Sequence, residues 1–173
     1  MKRHVALVGF MASGKTTIGR KLAKKLRRPF CDTDALIVQN HGSIQAIFAN
    51  EGETAFRRYE SEAIQTALDR EEGSVIALGG GALTVKRNCK LLDERAYRVF
   101  IKVPAEQILA RVRRSREVRP VLGSAPTLES VGALYATRMT EYEKADHVVE
   151  VARRSDATVV AEIVEWLRGT VAQ

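Results

Sequence analysis

Gly9-Phe10-Met11-Ala12-Ser13-Gly14-Lys15-Thr16 fits the pattern G-x-x-x-x-G-K-[ST], and its surroundings decide how to read it. The apolar run Val5-Ala6-Leu7-Val8 stops at Gly9, as a buried parallel strand does, and residues from Thr16 to Leu26 carry helical periodicity. A strand, a glycine-bearing loop and a helix start in that order form a phosphate cradle. The glycines let the backbone curl so that its N–H groups face phosphate oxygens, and the helix N-terminus adds the positive end of its dipole. Lys15 can reach the β and γ phosphates, and the Thr16 hydroxyl can hold Mg²⁺. At ordinary residue frequencies such a match arises by chance in roughly one chain of this length per hundred. The flanking strand and helix make a mere glycine-rich turn the poorer reading.

Outward from the cradle, Ser74-Val75-Ile76-Ala77-Leu78 is a second nearly unbroken apolar run ending at glycine. Arg98 to Val103 and His147 to Val151 read as further strands, and Pro29-Phe30-Cys31 as a weaker one. Helical segments lie between them. Pro104 suits a first helical turn, leading into Ile108, Leu109 and Val112, and Ser155 can cap a last helix striped with Val159, Val160, Ile163, Val164 and Leu167. This alternation predicts an α/β chain: a parallel sheet covered by helices on both faces. Ser115 to Pro126 is the one irregular stretch, polar enough to be a mobile loop over a site. With 173 residues, 45% of them hydrophobic and 28% charged, the chain is the size of one globular domain.

Several function classes are disfavoured. Twenty-eight Lys and Arg against 21 Asp and Glu give +7, which implies anionic partners. Aromatics make up 6%, and no basic stretch interleaves them as a base-stacking platform would, so small phosphates and carboxylates are expected rather than nucleic acid. No apolar stretch approaches a membrane span, the N-terminus has no secretory pattern, and a cytoplasmic location is expected. Cys31 and Cys89 are expected to be plain thiols, since no zinc spacing or disulfide framework is present. His4, His41, His147 and Trp166 are expected to be structural.

The loop alone does not separate a kinase from a switch or a motor. Three further features address the acceptor side: Asp32-Thr33-Asp34 after the second strand, Gly52-Glu53-Thr54-Ala55-Phe56-Arg57-Arg58-Tyr59-Glu60 opening a helix, and Gly79-Gly80-Gly81 after the third strand. Strand carboxyl ends form the ligand crevice of an open parallel sheet, so these should lie near the cradle mouth. Two aspartates one residue apart in an extended or turning segment would face the same side, Asp32 towards a metal and Asp34 towards an acceptor hydroxyl. Asp34 is the candidate base; a helix N-cap is the alternative. The glycine triplet serves either close backbone approach or flexibility, and Arg57 is either a carboxylate fork or a surface arginine.

Together these residues resemble the shikimate kinase family over nearly the whole chain. The resemblance rests on Gly9 to Thr16, Asp32-x-Asp34, Ile47-Phe48 before Gly52-Glu53, Phe56-Arg57 with Glu60, Gly79 to Gly81, Arg119-Pro120-Val121-Leu122, and Arg138 followed by Tyr142. It implies a P-loop three-layer α/β/α sandwich like the nucleoside monophosphate kinases. Such a fold has a five-stranded parallel sheet, a substrate-binding segment over about residues 33–61 and a lid over about 113–126. It also implies Mg²⁺-dependent phosphoryl transfer from ATP to the 3-hydroxyl of shikimate, in aromatic amino-acid biosynthesis. By that resemblance the acceptor contacts fall on Asp34, Arg57, Gly80 and Arg138. ATP contacts fall on Ala12, Ser13, Gly14, Lys15, Thr16, Thr17, Arg119 and the neighbourhood of Arg154, metal ligands on Thr16 and Asp32, and catalytic roles on Asp34, Lys15 and Arg119. A monomer is the default. Ala12 replaces a common loop glycine, which suits the loop only if φ there is negative. Val38 replaces a common acidic residue, and the turn at His41-Gly42-Ser43-Ile44 is one residue short. A related kinase acting on gluconate or a nucleoside monophosphate, or a nucleotide-binding module without turnover, are the alternatives.

Overall fold

The computed structural model of the chain describes residues 3–115, 120–123 and 125–171. Five strands, β1 (His4–Val8), β2 (Phe30–Asp32), β3 (Val75–Ala77), β4 (Ala96–Lys102) and β5 (His147–Glu150), form one sheet in the order β2-β3-β1-β4-β5. All neighbouring pairs are parallel. β1 is central because every residue in it can be buried: Val5, Ala6 and Leu7 have no exposed surface, and Phe100 of β4 lies beside Val8 in register.

The helices among the described residues are α1 (Lys15–Leu26), α2 (Thr33–His41), α3 (Ile44–Asn50), α4 (Gly52–Leu68), α5 (Lys86–Arg95), α6 (Ala105–Arg114), α7 (Leu128–Tyr142) and α8 (Asp156–Val171). They flank the sheet as the alternation of signals requires. α1 lies close against the strands because Gly19 has no side chain, and a Cβ there would meet the Phe30 ring at 2.5 Å. The stripe Val159, Val160, Ile163, Val164 and Leu167 is buried, as its spacing predicts, and the Ser155 hydroxyl caps the helix by accepting from the Thr158 N–H at 3.1 Å. Trp166 stacks on His147 and meets Tyr97 edge-on, His4 Nδ1 accepts from the Ser74 N–H, and His41 stacks on Tyr59. Each therefore has a structural job.

Two features bear on the site. α2, α3 and α4 close over a small core of their own, Ile37, Ile47, Phe56 and Ala63, distinct from the main core around the sheet. The second concerns Asp32-Thr33-Asp34, which the sequence suggests is extended or turning. The chain is already helical at Thr33, and the N-cap is Asp32, whose carboxylate accepts from the Asp34 and Ala35 N–H groups. Capping energy outweighs continuation of a strand only three residues long.

Candidate active site

A cavity of about 690 Å³ opens at the carboxyl ends of β1, β2 and β3. The phosphate loop forms one wall, α2 and α4 another, and the glycine triplet the floor. The loop's turn is built from backbone as much as from side chains. Gly9 has φ +144°, and a Cβ there would meet the Ile101 carbonyl oxygen at 2.8 Å; Gly14 has φ +96°. Lys15 is buried, and its Nζ donates to the Gly9 carbonyl at 2.9 Å and the Phe10 carbonyl at 2.7 Å, which fixes the ammonium beneath the loop. Ala12 does not meet its condition. Its φ is +56°, the left-handed region, so alanine occupies a position better suited to glycine, at a cost of about 1 kcal/mol.

The Thr16 hydroxyl donates to Asp32 Oδ2 at 2.7 Å, while Oδ1 of the same carboxylate accepts from the Asp34 N–H. A hydroxyl and a carboxylate side by side at the cradle mouth are hard oxygen donors of the kind Mg²⁺ takes alongside nucleotide phosphates. Among the described residues no group of three or more His, Cys, Asp or Glu could hold a metal. Between the two aspartates, Thr33 is fully buried; its hydroxyl accepts from the Gly79 N–H at 3.1 Å and donates to the Ala77 carbonyl at 3.3 Å. That pin sets α2 against the glycine triplet.

The triplet is needed for close approach, not for flexibility or positive φ. A Cβ on Gly79 would meet Glu60 Oε1 at 2.5 Å and Asp34 Oδ1 at 2.7 Å. On Gly80 it would press on the Met11 nitrogen at 3.0 Å and lie 3.4 Å from Arg138 Nη1, and on Gly81 it would overlap the Arg57 guanidinium. Two carboxylates and two guanidiniums thus converge on three consecutive residues without side chains. Arg57 is not a free surface arginine: its side chain is 16% exposed, Nε and Nη2 donate to Glu53 Oε1 at 3.2 and 2.9 Å, and Nη1 donates to Glu60 Oε2 at 2.9 Å. Arg138 is 6% exposed, donates from Nη1 to the Gly80 carbonyl at 2.9 Å, and lies over the Phe10 ring. The Tyr142 hydroxyl donates to the same carbonyl at 2.5 Å.

Glu60 has no exposed surface, and Oε1 has no hydrogen-bond partner among the described residues. Burial raises its pKa to about 7, with the Asp34 charge adding to the rise and Arg57 and Arg138 opposing it. Its position three residues after Arg57 on a helix marked it in the sequence as a neighbour of that fork, but its burial was not readable there.

Ala12, Ser13, Gly14, Lys15, Thr16, Thr17, Asp32, Asp34, Arg57, Gly80 and Arg138 all line this cavity. Arg154 is placed elsewhere: its guanidinium pairs with Glu162 and donates to the Glu150 carbonyl. Arg111 of α6 stands by the loop, donating from Nη1 to the Ala12 carbonyl at 3.0 Å. No motif or spacing in the sequence singled out Arg111. Arg119 lies outside the described residues; its neighbours Pro120 and Val121 reach the cavity wall.

The match to known proteins runs through both halves of this cavity. The shikimate kinase family profile covers residues 11–168. The chain belongs to the shikimate kinase family. A shikimate kinase of Geobacter sulfurreducens is 43% identical over 167 residues, 96% of this chain and 91% of the relative. The structure of a shikimate kinase from Acinetobacter baumannii in complex with shikimate superposes with a TM-score of 0.91 at 31% identity, covering 98% of this chain and 95% of that one. A gluconokinase from Sinorhizobium meliloti covers 98% of this chain and 99% of its own, with a TM-score of 0.58 at 17% identity, which is likeness of fold alone. No helix among the described residues is long and apolar enough to cross a membrane.

Proposed function

We propose that this shikimate kinase family member transfers the γ-phosphoryl group of ATP to the 3-hydroxyl of shikimate. The products are shikimate 3-phosphate and ADP, and the step belongs to aromatic amino-acid biosynthesis. The observation that carries the proposal is the convergence of Asp34, Arg57 and Arg138 on Gly79 to Gly81, across one cavity from Lys15 and Thr16. A cyclic acid needs two kinds of contact here. Arg57 and Arg138 bind its carboxylate by charge-assisted hydrogen bonds, and the Gly80 backbone, having no side chain, lets the ring come close. Asp34 holds the acceptor hydroxyl in line with the γ-phosphorus and takes its proton as the new P–O bond forms and the bond to ADP breaks.

Lys15 stabilises charge on the transferring group. Thr16 and Asp32 would hold Mg²⁺, which when bound with the nucleotide neutralises phosphate charge. Arg111, beside the loop, adds a cation at the nucleotide end. Residues 33–61 form the acceptor-binding segment in this reading, and 113–126, with Arg119, the lid that excludes water. The protein is taken as a cytoplasmic monomer that acts on small molecules and not on nucleic acid.

ADP release measured with shikimate, quinate, gluconate, AMP and water alone tests the reading. Shikimate should stimulate release far above water. Stimulation by gluconate or AMP without shikimate would move the assignment to a related kinase, and no stimulation by any acceptor would leave a nucleotide-binding module.

A further inference from the structure

Behind the Gly80 peptide lies a second cavity of about 600 Å³, between the short turn Ala82–Thr84, α5 and the C-terminal half of α7. Gly80 and Arg138 line both cavities, so the partition between them is one peptide and one guanidinium thick. The second cavity is strongly cationic. Lys86 and Lys90 of α5, Arg98 of β4, Lys144 and Arg138 face only two carboxylates. Both of those are already engaged, Asp93 with Arg98 at 2.6 Å and Glu141 with Lys144 at 2.6 Å. Lys86 and Lys90 have no hydrogen-bond or ion-pair partner among the described residues.

Two further observations point to an anionic ligand. Arg98, 6% exposed, adds a buried positive charge to the cavity wall: Nη2 holds Asp93 and the Lys144 carbonyl, while Nε and Nη1, themselves closed off from solvent, have no hydrogen-bond partner among the described residues. α5 opens on this cavity with no side-chain cap; the Asn88 and Cys89 N–H groups turn back to the Val85 carbonyl, which leaves those of Lys86 and Arg87 as donors. Leu83, Cys89 and Tyr142 complete the wall with less polar surface, and burial keeps the Cys89 thiol protonated by raising its pKa. That combination suits a small organic anion with two or more charged groups on a short carbon frame.

We propose that this second cavity binds a small polyanion carrying carboxylate or phosphate groups, and that the bound anion draws on Arg138 and so weakens the acceptor site. The part concerning the acceptor rests on the function proposed above; the binding itself does not. Arg138 donates to the Gly80 carbonyl at the partition, where an anion on one side competes with a carboxylate on the other for a single guanidinium. Such coupling is reciprocal: the acceptor must weaken the anion by the factor by which the anion weakens the acceptor.

The test is calorimetric titration of the full chain, saturated with Mg-ADP, with propane-1,2,3-tricarboxylate in one arm and inorganic phosphate in the other. One site per chain is expected in at least one arm, and the responding arm identifies the charged group. Lys86→Glu/Lys90→Glu, two exposed substitutions away from the acceptor residues, should weaken that binding at least tenfold. Its kcat and both KM values in anion-free buffer should stay within twofold of the parent. In the parent, the anion should raise the acceptor KM at least threefold to a plateau, leaving the ATP KM unchanged. No heat in either arm overturns the proposal, as does equal binding by the double variant, or a KM rise that never saturates and persists in that variant. If the chain used gluconate in place of shikimate, the isotherm and its loss in the double variant would stand unchanged, so the two failures are distinguishable.

Discussion

The two halves of the cavity recognise anions by different means. The nucleotide half is a continuous loop held between a fully buried strand and a helix, and its selectivity comes from backbone geometry: positive φ at Gly9 and Gly14, and an ammonium fixed by loop carbonyls. The acceptor half is gathered from four distant segments, and its selectivity comes from side-chain charge: Asp34, Arg57 and Arg138 around a glycine triplet, with Glu60 buried behind. Backbone donors accept any phosphate chain of the right shape. Placed side chains in a partly dry site discriminate among acids, which is why the same cradle can serve kinases with different acceptors.

Substitutions that separate the halves test this contrast, and the largest effect should come from Asp34→Asn. It removes the proton acceptor and keeps the shape, so kcat should fall by about 10²–10⁴-fold while ATP binding is unchanged, as single-turnover and nucleotide-binding measurements can check. A comparable loss of ATP affinity would erase the distinction. Arg57→Ala should act almost wholly on the acceptor, raising its KM by about 10–100-fold, the worth of a charged hydrogen-bond pair. The fold should survive it, because Glu60 can take a proton once its partner is gone.

Acidity offers a finer test. Glu60 is protonated below about pH 7, where an unfolded glutamate would still be ionised. Its raised pKa therefore stabilises the fold at acid pH, in full below the ordinary glutamate range, and that contribution is lost as pH rises through about 7. An acceptor carboxylate nearby further disfavours ionised Glu60, so acceptor affinity should increase as pH falls from 8 to 6, with proton uptake on binding. Glu60→Gln should flatten that dependence, and calorimetry in buffers of different ionisation enthalpy would reveal both. The smallest effect belongs to the loop. Ala12→Gly relieves a left-handed alanine, so it should raise stability by about 0.5–1 kcal/mol and the melting temperature by about 2 °C.

The nucleotide half was legible because its physics is local. A strand, a curled loop and a helix start require particular residues at consecutive positions, and apolar runs at Val5 to Val8 and Ser74 to Leu78 placed the sheet around them. The exception was Ala12: its residue type made negative φ a condition without deciding the sign, and the closure of the loop makes it positive. The acceptor half was legible only in part. Arg57 and Arg138 could be named through the family resemblance, but nothing local says that Gly81 lies against one guanidinium and Gly80 against the other. Thr33, to which the sequence assigned no role, is the buried pin to Gly79. Arg154, named near the last strand, is held by Glu162 on the following helix, and Arg111 of α6 reaches the loop. Those facts depend on contacts far apart in the chain, which no periodicity encodes.

A crystal structure with Mg-ADP and shikimate bound tests the central claim most directly. The carboxylate should lie between Arg57 and Arg138, with the 3-hydroxyl on Asp34 and facing the nucleotide. Shikimate seated elsewhere, or turned so that its carboxylate meets Asp34, would contradict it.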